Sequence, residues 1–210
     1  MSFLGRREFL SSSLGGMTAA SLFGSSPLAN GAVDALKPAN VRRKRSGPDT
    51  VFLTWRRDPT TTMTIQWIGP DVTTPPLVQY RPLDSDFPML ERTITKPYPN
   101  TDFKVFRCEL TNLLPGTEYE FHLGTPDHKY RFRTMPAKAT NTLQFVSGGD
   151  SGANLHAIGT NILAAKQEPY FALIGGDLAY DNGKSPATFT QFLRNYHEHM
   201  VDPEGRLIPM

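Results

Sequence analysis

The sequence predicts a β-sandwich followed by the opening of an α/β unit, and three observations carry that prediction. Proline is frequent, 18 of 210 residues, which favours short strands and loops over long helices. Residues 50–134 then read as a series of short alternating segments with no helical period. After Met135-Pro136 the pattern changes to strand, helix, strand, helix, and both of those strands run into Gly-Gly-Asp.

The composition fits a globular chain, with 39% hydrophobic residues and 17 glycines. It excludes a collagen-like, coiled-coil or wholly disordered protein, and no apolar run is long enough to span a membrane. The net charge of +2 conceals a split. Arg6, Arg7, Lys37, Arg42, Arg43, Lys44 and Arg45 face only Glu8 and Asp34 within residues 1–48, and the rest of the chain is slightly acidic. The basicity therefore sits outside the expected folded body, and a nucleic-acid partner is not predicted. With Cys108 as the single cysteine, neither an internal disulfide nor a cysteine-based zinc site can form.

Taken in order, residues 1–32 have the layout of an export signal: a basic start, a small-residue run from Leu10 to Gly24, then Ser-Ser-Pro and alanines. Arg6-Arg7 followed by Phe9-Leu10 resembles the twin-arginine motif, which hands folded proteins to the twin-arginine export machinery of bacteria. An exported location, periplasmic or secreted, with no stable membrane anchor is the expectation. Ala29 and Ala32 both end plausible cleavage patterns. Folded export suits a protein that loads a metal before it leaves the cytoplasm. Residues 33–48 are a basic linker containing Pro and Gly.

Residues 49–136 hold seven expected strands: 50–55, 63–69, 77–80, 91–96, 104–110, 117–123 and 129–134. Met63, Ile65 and Trp67 share one face. Phe106, Cys108 and Leu110 alternate with Arg107 and Glu109, which makes Cys108 a buried structural thiol. His122 alternates outward with Glu118 and Glu120, and His128 falls in a turn, so both are expected at the surface. Leu113-Leu114-Pro115-Gly116-Thr117-Glu118-Tyr119 resembles the Leu-x-Pro-x-Thr-x-Tyr pattern of fibronectin type III domains. In such a sandwich a tyrosine at this point returns its hydroxyl to upstream backbone.

Residues 143–210 carry the α/β pattern. Leu143–Ser147 and Tyr170–Ile174 are apolar strands, and helical spacing links Ile158 with Ile162 and, later, Phe189, Phe192, Leu193 and Tyr196. In parallel α/β sheets functional groups collect at the carboxyl ends of strands, so Asp150 and Asp177 are expected in one crevice. Two carboxylates without a basic neighbour repel, and a bound cation removes that conflict. The alternative is that both aspartates merely cap the helices that follow. His197 and His199 lie two residues apart on a helix and point about 200° away from each other; they are expected at the helix edge or surface. His156 is expected on a helix surface. Asn154 either caps that helix or faces a ligand, and Asn182-Gly183 is a turn.

Asp150-x-Gly152 with Gly176-Asp177-Leu178-x-Tyr180 resembles the first two motifs of the calcineurin-like metallophosphoesterases, specifically the purple acid phosphatase branch. Most of that superfamily has histidine where this chain has Gly152. In the purple branch a tyrosine placed like Tyr180 takes over the missing ligand's role. The resemblance implies a fibronectin type III-like β-sandwich followed by an incomplete α/β metallophosphoesterase domain. It also implies Asp150 and Tyr180 on iron(III), and Asp177 bridging to a second, divalent metal (iron, zinc or manganese). The implied reaction is metal-dependent hydrolysis of a small phosphorylated substrate, a phosphate monoester of the acid-phosphatase type, by in-line attack of activated water on phosphorus. A phosphodiesterase of the same superfamily, or a noncatalytic extracytoplasmic β-sandwich binding module with a decayed α/β remnant, are the other readings. The branch's later motifs, Gly-Asn-His-Asp/Glu and Gly-His-x-His, do not occur in the 210 residues. The expectation is an N-terminal portion that is inactive alone and holds no assigned catalytic residue.

Overall fold

The computed structural model describes residues 47–124, 128–139 and 142–210. These fall within one compact unit. The predicted export signal and almost all of the basic linker lie outside the described residues.

Eight strands build a sandwich: β1 Phe52–Thr54, β2 Met63–Pro70, β3 Val78–Pro82, β4 Met89–Glu91, β5 Ile94–Pro97, β6 Phe103–Leu110, β7 Glu118–Leu123 and β8 Tyr130–Arg133. They form two four-stranded sheets, ordered β1-β2-β6-β5 and β4-β3-β7-β8, and every pairing within them is antiparallel. The longest ladder joins β2 to β6 from Met63↔Leu110 to Pro70↔Phe103. Because side chains alternate along a strand, this register puts Met63, Ile65 and Trp67 beside Phe106, Cys108 and Leu110 on the inner face. Val78, Tyr80, Tyr119, Phe121 and Phe132 meet them from the second sheet. Two register pairs are also ring stacks, Trp67–Phe106 at 5.2 Å and Tyr119–Phe132 at 5.3 Å. Cross-strand pairs of this kind fix register. Cys108 is buried and free; burial, then the charges of Glu91 and Glu109, pushes its thiol up to about 12, so it is inert.

The single strand expected at residues 91–96 is two strands on different sheets. β4 pairs with β3 and β5 pairs with β6. The crossing falls at Arg92-Thr93, where the Thr93 hydroxyl donates to the Pro76 carbonyl at 2.6 Å. The predicted tyrosine corner is present: Leu114 N–H donates to the Tyr119 hydroxyl at 2.8 Å.

Four more elements follow: β9 Val146–Gly148, α1 Leu155–Ala165, β10 Ala172–Ile174 and α2 Pro186–His199. β9 and β10 pair in parallel, with Gly148 opposite Ile174. Pro186 at the first turn of α2 suits a helix start. The helix lays Phe192, Leu193 and Tyr196 over Ile68 and Tyr98, so the outer face of the β1-β2-β6-β5 sheet is covered. The Tyr98 hydroxyl lies 2.9 Å from the Pro186 carbonyl and 3.1 Å from the Thr190 hydroxyl.

Residues 200–210 tie these parts together. Leu207 N–H donates to the Arg131 carbonyl at 2.8 Å, Ala172 N–H to Pro209 at 2.8 Å and Met210 N–H to Leu53 at 2.9 Å. Arg206 is buried; its Nε donates to Asp202 Oδ2 at 2.6 Å, and its Nη1 pairs with Glu118 and, at 3.1 Å, Glu204. No helix among the described residues is long and apolar enough to cross a membrane.

Two stability outcomes follow from these contacts. Arg206→Ala strands the buried Asp202 carboxylate, and urea denaturation should show a loss of about 3 kcal/mol; Asp202→Asn in the same background should recover part of it. Tyr119→Phe leaves the Leu114 N–H without its acceptor, and the expected cost is about 1 kcal/mol. An unchanged midpoint for either variant would rule out the role given to that contact.

Candidate metal centre

The two Gly-Gly-Asp turns sit side by side because their strands do. Gly175 N–H donates to the Gly148 carbonyl at 2.7 Å, and Gly152 N–H to the Asp177 carbonyl at 3.3 Å. A Cβ on Gly175 would lie 3.4 Å from the Gly148 oxygen, and one on Gly149 would lie 3.8 Å from the Gly175 carbonyl carbon. Glycine thus lets the loops approach closely.

Asp150, Asp177 and Tyr180 all have positive φ, at 50°, 47° and 46°. Aspartate visits this region at some cost, and a bulky residue such as tyrosine does so only under constraint. Such backbone strain gathers at functional sites. All three side chains are exposed, Tyr180 at 62%. Among the described residues no Lys, Arg or His forms an ion pair with Asp150 or Asp177. A hydrogen bond to Asp150, then desolvation, then the charges of Asp150 and Asp177 push the Tyr180 phenol up to about 12. The three oxygen groups therefore share one electronegative spot in which the phenol keeps its proton at neutral pH.

Gly152 has φ +63°, and a Cβ there would sit 3.7 Å from the Tyr180 ring. A side chain at position 152 would thus compete with Tyr180 for the same space. Asp181 shapes the following turn by accepting from Gly183 N–H at 2.9 Å and Ser185 N–H at 2.8 Å. Asn154 caps α1, its side chain accepting from Ala157 N–H at 3.0 Å, which settles its role in favour of the cap. Neither Asp150 nor Asp177 is the N-cap of a described helix, since Asn154 and Ser185 hold those positions.

The histidines divide. His156 is exposed beside the Asp150 loop. His197 is buried, not at the surface: its Nδ1 lies 3.1 Å from the Val51 carbonyl and its ring meets Tyr130 edge-on at 5.8 Å. It follows Leu193 by one turn on the face that α2 presses against the sandwich. His199 is half-buried. His122 is also largely buried, its Nε2 3.5 Å from Glu120 Oε1. Arg81 and Lys129 close over that same glutamate from neighbouring strands, and their packing covers what the alternation placed outside. Among the described residues no group of three His, Cys, Asp or Glu side chains gathers where it could hold a metal. The candidate set consists of two carboxylates and a phenol. Sequence reasoning missed Asn161, a buried polar residue on α1; its place on the same helical face as Ala157 and Ala165 was the available signal.

Compared with known proteins, residues 48–146 match the family model of the Purple acid Phosphatase N-terminal domain. This supports a purple acid phosphatase-like family, and the matched part is that family's noncatalytic N-terminal domain. Two uncharacterized proteins of Mycobacterium tuberculosis, from strains CDC 1551 / Oshkosh and ATCC 25618 / H37Rv, are each 30% identical over 168 residues, covering 67% of this chain and 32% of their own. The chain thus spans about a third of the length of these relatives. A solved structure of Astrotactin-2, a vertebrate-specific and perforin-like membrane protein, aligns over 71% of this chain and 33% of its own at 9% identity with a TM-score of 0.32. Nothing below rests on that likeness.

Replacing the strained aspartates should relieve both the positive φ and the carboxylate repulsion. Asp150→Gly and Asp177→Gly are each expected to raise stability by about 0.5–1 kcal/mol in thermal or urea unfolding. Destabilisation by either change would show that the turn depends on the side chain and is not strained by it.

Proposed function

We propose that this chain belongs to an exported, metal-dependent hydrolase of phosphate esters, of the acid-phosphatase type, and contributes the first half of its metal centre. The observation that carries the reading is the convergence of Asp150, Asp177 and Tyr180, three oxygen donors held at positive φ with no basic partner. The donor set fits a hard trivalent cation such as iron(III). Asp150 and Tyr180 would hold it, and Asp177 would bridge it to a second, divalent metal (iron, zinc or manganese). When bound, such a pair supplies a clamp for phosphoryl oxygens and activation of water.

The chain's own part is positional. The parallel β9–β10 ladder fixes the spacing of the two carboxylates, Gly152 leaves the room that the Tyr180 ring uses, and Asp181 holds the turn that presents Tyr180. The strand order of the sandwich, with the tyrosine corner at Tyr119, supports the fibronectin type III-like reading of residues 49–136, and residues 143–210 then begin the catalytic α/β domain. The substrate would be a small phosphorylated molecule; a diester is equally compatible with these three residues. The absence of a histidine beside them among the described residues is why the 210 residues alone are expected to be inactive. That same absence favours, as a second reading, a binding module with a noncatalytic α/β remnant.

Titration with iron(III) separates these readings. The chain should develop a visible tyrosinate–iron band that Tyr180→Phe abolishes, with at most one metal held tightly. If no Tyr180-dependent band forms, the metal-centre reading fails. Two tightly held metals with turnover of a phosphate monoester would overturn the incompleteness of the site.

A further inference from the structure

Beside the Asp150 loop lies a second feature, a half-open cavity of about 270 Å³ between α1, β9, β10 and the end of α2. Gly149, Asp150 and His156 line it, as do Ala157, Ala172 and Tyr196. The α1 face toward the sheet is built from Ala157, Asn161 and Ala165, so small side chains keep the space open. Asn161 is the exception in chemistry. It is 9% exposed and lines the cavity, yet no group among the described residues hydrogen-bonds its side-chain amide. Buried polar groups are nearly always paired, and leaving an amide unpaired costs about 1–3 kcal/mol. An amide that is nine-tenths buried and faces a cavity points to a ligand that completes it.

We infer that this cavity receives the alcohol half of the phosphate ester, with the Asn161 amide bonding a polar substituent on that group; this rests on the hydrolase reading above. Asp150 belongs both to the proposed metal centre and to the cavity lining, so an ester whose phosphoryl group sits at the Asp150–Asp177 turns has its organic half directed at the cavity. The size limits the alcohol. A cavity of about 150 Å³ accepts benzene, and this one accommodates a single ring with a short polar substituent. The apolar contribution comes from alanine, β-strand and Tyr196 surfaces, and the selectivity from Asn161. Specificity of this kind favours ring alcohols that carry a hydrogen-bonding group over plain ones of equal size.

The test uses the phosphate-free alcohol, so that it does not depend on metal. 4-Hydroxybenzyl alcohol is titrated into the 15N-labelled chain, with the Asn161 side-chain amide assigned by its loss in Asn161→Leu. The expected result is a saturable shift of that amide and at least tenfold weaker binding both in Asn161→Leu and in Ala164→Leu, which fills the cavity but keeps the amide. No shift, or undiminished binding in a folded Ala164→Leu protein, overturns the inference. So does an equal shift with inorganic phosphate alone, because Asn161 would then read the phosphoryl group. Failure of the metal-centre reading is visible separately: the iron band is missing while the alcohol shift persists, including in Asp150→Asn.

Discussion

The structure depends on a sheet that is apolar on both sides. The inner face of β1-β2-β6-β5 packs in the sandwich, while Phe52, Ile68 and Val105 on its outer face belong to a second cluster with Phe192, Leu193 and Tyr196. A sandwich with water on that outer face would expose several large apolar side chains, each worth about 1.5–3 kcal/mol when buried. α2 is the cover. Once it is docked, the position of the β9–β10 pair is largely fixed, because Ala172 is tied to Pro209 and Met210 to Leu53 on opposite ends of one short segment. The strand ends that carry Asp150 and Asp177 thereby inherit the rigidity of the sandwich.

Arg206 closes that arrangement. Its guanidinium meets Asp202 in its own turn and Glu118 at the start of β7, while the adjacent Leu207 joins β8 through Arg131. A buried arginine earns little net stability from its ion pairs. Its contribution is register, because only one docking of residues 200–210 satisfies Asp202, Glu118 and the backbone together. His197, bonded to Val51, repeats that logic one turn from the end of α2.

The inner face of the sandwich was legible because period-two alternation encodes it directly: Met63, Ile65, Trp67, Phe106, Cys108 and Leu110 all face inward. Tyr119 was legible because its corner is a local motif. Alternation does not say to which sheet a strand belongs, so residues 91–96 read as one strand when Thr93 marks a change of sheet. His197 and His122 were misread for a related reason. Their surroundings come from Val51, far away in the chain, and from Arg81 and Lys129 on other strands, and no window of sequence contains those neighbours. Arg206 resembled an ordinary charged residue ahead of an apolar run, since its partners are equally remote.

At the candidate site the sequence and the backbone point the same way for different reasons. Repeated Gly-Gly-Asp identified two strand ends, and the resemblance supplied Tyr180, but neither indicated that all three residues would be held at positive φ. A chain folding only for stability has glycine or asparagine available for such positions, as it uses at Asn100, Asn112, Gly116 and Gly183. Placing two unpaired carboxylates and a tyrosine there costs backbone energy and electrostatic repulsion together, and the tyrosine ring, largely in solvent, returns little packing. Local rules broken in three ways at one point, inside a fold that obeys them elsewhere, mark a place shaped by what it binds. A cation is the ligand that converts each of those costs into an attraction: it neutralises the repulsion between the carboxylates, favours the phenolate that they oppose, and rewards the strained backbone that aims all three oxygens inward.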